Sequence, residues 1–450
     1  MRILLWLHRA KTMSRLPSLD RLLLLLALGM VLPAQAADIN ATPSDYRTKL
    51  KLLQPGDTLL LGAGTYSEGL PIHYLLGTAS KPILIRGIAG QTRFIASARR
   101  NTVSIVDSAH IHVSDLLLDG AGQPADAVRA EGYARFAHHI TLENLLIVNH
   151  GLGQAFVGIS TKCPAWGWVI RGNRIIGAGT GMYLGRSDGR APFVAGVIEH
   201  NLIVASTGYN LQIKHQAVRP DLPGLPQAAS RTLIRHNVLI KGANSSRGKD
   251  ARPSLLVGHW PLQGAGKDDV YEIYGNFFYQ NPGEALFQGE GNLAFYNNLL
   301  VNDFGDALNI QPHNDVPRKI YLFHNTLLAR ESGIRIRTGL SEPEALHVVA
   351  NAVYAAQPLT GVEPVHNLIA ARKDARSYLK APDVRLDRLS LEPQAGRLQM
   401  ATANFNWMNQ FTDAECDFDG RRLGFAYYGA YAKPALWQLK PEIKPAMRQH

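Results

Sequence analysis

Seven titratable side chains near the ends of short apolar segments could together bind an anion and transfer a proton. They are Lys214, His215, His259, Glu290, His313, Arg335 and Arg337. Lysine and arginine neutralise carboxylates, and arginine does so through two parallel hydrogen bonds. Histidine and lysine can take up or release a proton once neighbouring groups adjust their pKa. We therefore expect a polyanion to bind here if the fold gathers these side chains on one surface.

A short internal repeat is the feature that would gather them. Each copy has two or three β-favouring residues, a polar pair, and an Asn followed by two or three apolar residues, and successive copies lie 22 to 39 residues apart. Such a period is typical of solenoids, whose repeats stack on their neighbours. It matches one coil of a parallel β-helix, with the Asn side chains forming a ladder from coil to coil. The predicted ladder residues are Asn144, Asn173, Asn201, Asn237, Asn276, Asn298, Asn325 and Asn351, with Asp115 at the equivalent position of one further copy.

A third short strand closes each predicted coil, in segments such as YNLQIKH (209–215), DALNIQPH (306–313) and GIRIRT (333–338). Apolar residues alternate in these segments, so Leu211, Leu255, Leu286, Leu308 and Ile334 are predicted to point inward. Because coils stack about 4.8 Å apart, the outward side chains of four successive coils would extend over roughly 20 Å. The predicted outward rows are Gln212, Leu256, Phe287, Asn309 and Arg335, then Lys214, Gly258, Gly289, Gln311 and Arg337.

The two longest intervals between repeats hold insertions at 216–230 and 242–252. These insertions carry the basic residues Arg219, Arg247, Lys249 and Arg252. Long loops concentrated at one place on a regular scaffold are commonly functional, so we place the candidate cleft beside them. The residues assigned to substrate binding are Gln212, Arg219, Arg252, Trp260, Glu290, Asn309 and Gln311.

The first 36 residues have the pattern of a signal peptide. Basic residues precede an apolar run at 22–32, and Ala34-Gln35-Ala36 supplies the small residues of a cleavage site. The run is about half as long as the roughly 20 residues that span a membrane. We therefore predict cleavage before Ala37, a periplasmic or secreted protein, and no membrane insertion of the mature chain.

The mature chain is predicted to form one domain with distinct ends. Residues 37–66 are assigned to an N-terminal cap whose helix starts at Pro43 and stops before Pro55, 67–356 to the coils, and 357–450 to final coils and a C-terminal tail. A terminal helix would cover the apolar core that an open first coil exposes.

Composition excludes several classes of protein. The 450 residues are 46% hydrophobic and 18% charged, with 41 Gly, 25 Pro and 2 Cys, which excludes collagen-like, disordered and disulfide-framework chains. Cys163 and Cys416 are far apart in the chain and are expected to be independent thiols rather than a disulfide. The formal charge of +11 falls to +7 without the first 36 residues, because that segment holds five basic residues and Asp20.

Three segments carry a resemblance to a known family. PGDTLLLGAGTY (55–66) followed by GTASKPILIRG (77–87) resembles the opening of right-handed parallel β-helix proteins of the pectate-lyase-like superfamily, which includes the chondroitinase B and alginate lyases. DFDGRRLGFAYYGAY (417–431) is similar to their closing motif. The resemblance implies an all-β fold, a single-stranded right-handed parallel β-helix with an N-terminal capping helix and a less regular C-terminal segment.

The resemblance also implies a polysaccharide lyase that cleaves an acidic, uronic-acid polysaccharide by β-elimination. That reaction needs a cation on the uronate carboxylate, a base for the adjacent proton and a proton donor for the leaving oxygen. The candidates are Lys214 or His215 as the base, Arg335 and Arg337 as the carboxylate clamp, and His259 or His313 as the donor.

Two other functions stay open. One is a mannuronan-type C5-epimerase, because IQPHND (310–315) is similar to the Asp-Pro-His-Asp motif of such enzymes, and the other is a non-catalytic polysaccharide-binding or surface protein. Chondroitinase B-like lyases hold calcium with an Asn and two Glu residues, and the matching segments here contain no Glu-x-Glu pair, so the cofactor stays unassigned. The expected partner is an acidic polysaccharide rather than a nucleic acid, and we expect a monomer.

Overall fold

Parallel β-strand accounts for nearly all of the regular structure in the computed structural model, which describes residues 36–339, 341–401 and 405–446. The predicted signal peptide lies outside the described residues except for Ala36. Within the described ranges, no helix has the length and apolar character that crossing a membrane requires.

The described strands form three long parallel sheets, here called the first, second and third sheet in the order in which each coil passes through them. The first sheet contains Asp38–Ala41, Thr58–Leu61, Ile83–Arg86, Ser108–Ser114, Ala137–Glu143, Val169–Arg171, Val197–Glu199, Arg231–Arg235, Val270–Tyr274, Leu293–Tyr296, Lys319–Phe323 and Ala345–Val349, with Ala165–Trp166 and Phe193–Val194 beside them. The second contains Gly64–Tyr66, Thr92–Ile95, Leu117–Asp119, Leu146–Val148, Arg174–Ile176, Leu202–Val204, Val238–Ile240, Phe277–Tyr279, Leu299–Asn302, Thr326–Ala329, Ala352–Tyr354 and Leu368–Ala370. The third contains Leu70–His73, Val103–Val106, Val128–Glu131, Val157–Thr161, Thr180–Leu184, Leu211–Ile213, Leu255–Val257, Phe287–Gly289, Leu308–Ile310, Ser332–Ile336 and Gln357–Thr360.

This arrangement is a right-handed parallel β-helix, which confirms the predicted fold class. Each strand pairs with the strand one coil earlier and one coil later, so equivalent residues stack in columns. One inward column of the first sheet runs through Ile170, Ile198, Ile234, Ile273 and Phe295, all 1% exposed or less. Burying one such side chain contributes about 1.5 to 3 kcal/mol, so the stacked columns supply the main stabilisation.

A ladder of buried Asn side chains links the coils at the corner between the first and second sheets. The Oδ1 atom of Asn237 accepts hydrogen bonds from the backbone N–H and the side-chain amide of Asn201, at 3.0 and 2.9 Å. Its Nδ2 atom donates to the carbonyl of Ile198 at 2.8 Å. The same pattern joins Asn173, Asn201, Asn237, Asn276, Asn298, Asn325, Asn351 and Asn367.

The ladder differs from its prediction at both ends. Asn144 and Asp115 stand one position too early, with φ of 53° and 61°, and Leu145 occupies the ladder position of that coil. The short polar side chains at these two sites suit a left-handed turn residue, which is why they imitated the repeat. At the other end the ladder gains Asn367, only 16 residues after Asn351, an interval too short for the repeat to reveal.

The residues directly before the ladder Asn are turn residues. His200, His236 and His324 have φ of 52°, 55° and 52°, which confirms the structural role that their spacing indicates. Gly172 and Gly275 occupy the same position in other coils, with φ of 66° and 63°.

The N-terminal helix is present but shorter than predicted. It spans Tyr46–Leu50, and Tyr46, Leu50 and Leu53 are buried as expected. The ring of Tyr46 packs edge-on against Tyr66 at 5.0 Å, so the helix covers the open end of the core. The coils also begin earlier than the predicted boundary at residue 67, because Asp38–Ala41 already pairs with Thr58–Leu61.

The chain after residue 370 covers the outside of the coils. The described part contains two short antiparallel strands, Leu379–Ala381 and Ser390–Pro393, and the 3₁₀ turns Arg372–Ser377 and Asn406–Gln410. Apolar residues of this segment pack on the coils in two clusters. One cluster contains outward side chains of the second sheet, and the other contains outward side chains of the first sheet. The outward residues of the third sheet belong to neither cluster, so this segment leaves the third sheet uncovered. Cys163 and Cys416 are both buried and free.

Removing one ladder amide should destabilise the fold. Asn237→Ala leaves the backbone N–H and the amide of Asn201 without their buried acceptor, which should lower the free energy of unfolding by about 1 to 3 kcal/mol. Denaturant unfolding followed by circular dichroism measures this change. Asn40→Ala, at an exposed strand position, is the control and should leave the midpoint almost unchanged. Equal midpoints for the two variants would refute the role assigned to the ladder.

Candidate active-site groove

The outer face of the third sheet, from Val128–Glu131 to Ser332–Ile336, lies between two series of loops, and we call this surface the groove. Loops from the second to the third sheet border one side and loops from the third to the first sheet border the other. The insertion at 242–252 belongs to the first series and the insertion at 216–230 to the second. The two insertions therefore stand on opposite sides of the groove rather than together on one side. The side chain of Gln154 donates to Ser246 at 2.5 Å and to the Asp250 carbonyl at 2.8 Å, which ties the first insertion to a loop three coils earlier.

Strand register corrects the predicted outward rows at one strand. Phe287 pairs with Leu255 and Leu308 and points inward, and Gln288 takes the outward position beside Asn309. Glu290, rather than Gly289, therefore follows in the second outward row. Both Leu286 and Phe287 are apolar, so alternation alone left this strand open to a shift of one residue.

Tyr183 lies at the centre of the groove floor with a lysine in the coil on either side. It pairs with Ser160 of the preceding coil and Gln212 of the following one. The Nζ atom of Lys162 lies 3.6 Å from the centre of the Tyr183 ring, and the Nζ atom of Lys214 lies 6.0 Å from it. We call Lys162, Tyr183 and Lys214 the lysine–tyrosine cluster.

Burial changes the proton affinities in this cluster. It lowers the pKa of Lys162 to about 8; the carboxylate of Asp126 opposes this shift, whereas the charges of Arg129 and Lys214 reinforce it. Burial also lowers the pKa of Lys214, against the attraction of Glu290. The pKa of the Tyr183 hydroxyl is raised, first by burial and then by Tyr209. The cluster thus combines an amine that is partly neutral near pH 8 with a phenol that stays protonated.

Polar residues of the preceding coils lie on the floor beside the cluster. Asp126 is buried and accepts hydrogen bonds from the Val157 backbone N–H at 2.9 Å and the Ser160 hydroxyl at 3.0 Å. Arg129 forms an ion pair with Glu131 at 3.1 Å and lies 3.7 Å from Asp126. Asp126 is thus fixed on the floor near Lys162.

A second group of titratable residues lies farther along the groove. The rings of His215 and His259 stack with their centres 5.6 Å apart. Glu290 is fully buried, accepts the backbone N–H of Asn314 at 2.9 Å, and leaves its Oε1 atom without a described hydrogen bond. Burial raises the pKa of Glu290, opposed by that N–H and by the nearby His259 and His313. The pKa of His215 is lowered by burial and by the charge of Lys214. The structure therefore places these four residues close together beside Lys214.

The two arginines of the predicted clamp differ. Arg335 is half-buried and paired with Asp306 at 3.0 Å, so its charge is already neutralised. Arg337 is exposed and donates to the side chain of Gln311 at 3.4 Å. Asn309 is buried, with its Nδ2 atom 3.4 Å from Asp306. Of the two arginines, Arg337 alone is placed to meet a ligand carboxylate without breaking an ion pair.

Two residues predicted to bind substrate lie outside the groove surface. Trp260 is 0% exposed and stacks on Tyr271 at 4.4 Å, so it contributes to the core and cannot contact a sugar. Arg219 is buried in an ion pair with Asp269 and also donates to the Pro226 carbonyl. It anchors the 216–230 insertion instead of binding a ligand.

Arg252 and Gln212, two further members of the predicted binding set, lie on the groove. Arg252 lies 6.0 Å from the ring of Tyr209, on the wall formed by 242–252. Gln212 points outward on the floor but is only 3% exposed, and its Oε1 atom has no hydrogen bond among the described residues.

The sequence-based face began at Lys214, two coils after Lys162. Lys162, Tyr183, Asp126 and Arg129 were not among the predicted site residues. The alternation used for YNLQIKH, applied to GMYLGR (181–186), would have placed Tyr183 outward beside Gln212. The burial that lowers the pKa of Lys162 comes from tertiary packing, and no sequence pattern indicates it.

Calcium coordination of the type seen in chondroitinase B-like lyases does not fit this groove. That ion needs several oxygen ligands, with carboxylates prominent among them. Glu290 faces His259 and His313 rather than a second carboxylate. Among the described residues, the one group of three metal-binding side chains with closely spaced donor atoms consists of histidines outside the groove. We therefore assign no step to calcium.

Comparisons with known proteins agree with the fold. No protein-family model matches the chain, and no curated protein matches it in sequence. Among solved structures, pectate lyase Pel9A is 11% identical with a TM-score of 0.52, over 89% of this chain and 97% of that one. An alginate lyase from Paenibacillus sp. str. FPU-7 is 16% identical with a TM-score of 0.40, over 75% of this chain and 98% of that one. The PL6 family alginate lyase AlyGC is 14% identical with a TM-score of 0.44, over 74% of this chain and 50% of that one.

The likeness to the pectate lyase shows the class of fold. The chain is a parallel β-helix protein that resembles polysaccharide lyases in architecture, which confirms the resemblance found in the sequence. At this level of identity the likeness carries the fold alone, so the chemistry must be argued from the groove.

Lys162 should titrate well below an ordinary lysine. At pH 8 about half of its amine should be neutral, so competitive labelling with acetic anhydride should modify it far faster than the exposed Lys51. Mass spectrometry of peptides labelled between pH 6 and 11 gives both titration curves. A midpoint for Lys162 at or above that of Lys51 would contradict the electrostatics described here.

Proposed function

We propose that this protein is an exported polysaccharide lyase that cleaves an acidic, uronic-acid polysaccharide by β-elimination in the third-sheet groove. The observation that carries the proposal is the lysine–tyrosine cluster, because it places a partly neutral amine, a second lysine and a phenol of raised pKa side by side on the third sheet. The fold shared with pectate lyase Pel9A is compatible with this reaction.

Each member of the cluster has a role that follows from its proton affinity. Protonated Lys214 neutralises the uronate carboxylate and so acidifies the proton on the adjacent carbon. Neutral Lys162 removes that proton, and the electron pair forms a carbon–carbon double bond as the bond to the glycosidic oxygen breaks. Tyr183 donates its hydroxyl proton to the departing oxygen, which its raised pKa permits because the phenol remains protonated. The products are a shortened chain and a new end that carries an unsaturated uronate.

The groove beyond the cluster supplies binding energy. Arg337 is free to neutralise a second carboxylate farther along the polymer, and His215 and His259 can donate hydrogen bonds to hydroxyl groups. Glu290 orients this corner through its bond to the loop that carries His313. Binding at several sugar positions is the means by which such an enzyme positions one glycosidic bond over its reactive groups.

A panel of polymers tests the function. The mature protein is incubated with alginate, pectate and glycosaminoglycans, and the ultraviolet absorbance of the unsaturated uronate is followed together with chain length. A lyase raises the absorbance and shortens at least one polymer. Altered sugar stereochemistry at constant length would indicate the C5-epimerase instead, and retained binding without either change would indicate a binding protein; both results would refute the lyase.

Charge-conserving variants separate the roles of the two lysines. Lys162→Arg keeps the positive charge but cannot act as a base near neutral pH, so kcat/KM on the responsive polymer should fall about 10²- to 10⁴-fold. Lys214→Arg keeps the neutralising charge and should retain much more activity, whereas Lys214→Ala should lose it. Lys81→Ala, on an exposed loop, is the control and should match the unaltered protein.

The pH profile gives an independent check of the same assignment. Activity should rise as pH increases through about 8, where Lys162 loses its proton, and fall at higher pH as Lys214 also becomes neutral. If Lys162→Arg keeps both the rate and this rising limb, another group is the base.

A further inference from the structure

Three histidines come together at the edge of the first sheet where the loops from the third sheet enter it. They are His110 in Ser108–Ser114 and the consecutive pair His138 and His139 in Ala137–Glu143 of the next coil. One ring nitrogen from each lies within 4.8 Å of the others, and the Nδ1 atoms of His138 and His139 are 2.8 Å apart. This is the one such group of metal-binding side chains within the described ranges.

The backbone brings two of these rings to the same level. His110 and His139 have φ of 54° and 52°, which places each at a left-handed bend that interrupts its strand. The pairing shows the same interruption, because His138 pairs with Ala109 and Ile140 pairs with Ile111. The two rings therefore stack, with their centres 4.5 Å apart and their planes 14° from parallel.

A glycine in the following coil makes room for this arrangement. Gly167 has φ of 64°, and a Cβ atom there would lie 2.8 Å from the ring of His139. A side chain at this position would displace the imidazole, so the glycine gives the ring both its space and its open edge.

The third ring is oriented by an aromatic neighbour. His138 stacks on buried Trp166, with centres 4.4 Å apart and planes 8° from parallel. Its own plane lies 82° from that of His139 and 84° from that of His110. The three imidazoles thus approach one point from two directions.

The charge around the three rings favours a cation from outside the protein. Burial lowers the pKa of all three, and that of His138 falls to about 4 with further contributions from His139 and His110. No carboxylate of the described residues forms an ion pair with any of them. Neutral imidazoles with free lone pairs are the form that binds metal ions.

We propose that His110, His138 and His139 bind a divalent transition-metal ion of the kind that prefers imidazole, with Zn²⁺ as the representative ion. Zn–N bonds of about 2.0–2.1 Å in a tetrahedral site set nitrogen atoms about 3.3 Å apart. The His138 and His139 nitrogens must separate by about half an ångström to reach that spacing, and His110 must approach by rotating its side chain. His139 is exposed, so the fourth position faces solvent and is available to water or another ligand. This site is independent of the proposed lyase function.

The test uses the full-length protein without a histidine tag, stripped with a chelator and titrated with ZnCl₂ in a calorimeter at neutral pH. One equivalent of Zn²⁺ should bind and raise the melting temperature, whereas Ca²⁺ and Mg²⁺, which prefer oxygen ligands, should not. His138→Phe keeps the stack on Trp166 but removes both nitrogens, and should weaken Zn²⁺ binding at least 100-fold, since even indirect partners of a metal ligand are worth 10- to 100-fold.

A matched variant and a second ligand variant complete the design. His347→Phe removes a half-buried histidine of the same sheet that stacks on Tyr321 at 5.2 Å, and should bind Zn²⁺ like the unaltered protein. His110→Asn retains a residue that tolerates a left-handed bend and should also weaken binding strongly. The absence of stoichiometric Zn²⁺ binding, or binding that survives both His138→Phe and His110→Asn, would overturn the proposal.

Discussion

The Asn ladder is the constraint on which the rest of this molecule depends. Each ladder side chain after Asn173 accepts two hydrogen bonds from the preceding Asn and donates one to a backbone carbonyl farther back, so its amide is satisfied within the protein interior. An unsatisfied buried amide would cost several times what a single hydrogen bond contributes, so every coil must return to the same corner in the same register. That corner permits no insertion between the first and second sheets.

Variation in coil length must therefore be accommodated at the other two corners. Ladder residues lie between 16 and 39 positions apart, as between Asn351 and Asn367 and between Asn237 and Asn276. The extra residues leave the coil just before or just after the third sheet, which is where 242–252 and 216–230 stand. In the later coils, the outer surfaces of the first and second sheets are meanwhile covered by the C-terminal segment. The third sheet is thus left as the open floor, and the loops at its two edges form the walls.

The sequence predicts the features that depend on the repeat and misses those that depend on tertiary packing. The fold class, the capping helix and most of the ladder were predictable because they rest on a periodic pattern of Asn and apolar residues. Asn144 was wrongly assigned to the ladder because Asn is accepted both at a ladder position and at the left-handed turn position one residue earlier. Phe287 was wrongly predicted to point outward because it follows Leu286, and two adjacent apolar residues leave the alternation undetermined. Trp260 and Arg219 have residue types that suit sugar binding, but their burial depends on Tyr271 and Asp269, which are not neighbours in sequence. Lys162 was missed because its low pKa comes from tertiary packing, which no sequence pattern indicates.

The positive charge of the groove and the low pKa of Lys162 both arise from the basic side chains that lie close together there. Arg129 and Lys214 help to lower the pKa of Lys162, and the same charges attract a polyanion. When a uronate binds beside Lys214, its negative charge offsets that repulsion and raises the proton affinity of Lys162. In the free groove, part of the Lys162 amine is neutral and can act as a base. Once substrate is present, its higher proton affinity makes it a stronger base. In the proposed reaction this coupling favours proton transfer to Lys162 only on a bound acidic sugar, so a neutral polysaccharide that entered the groove would lack both the acidified proton and the base strength to remove it.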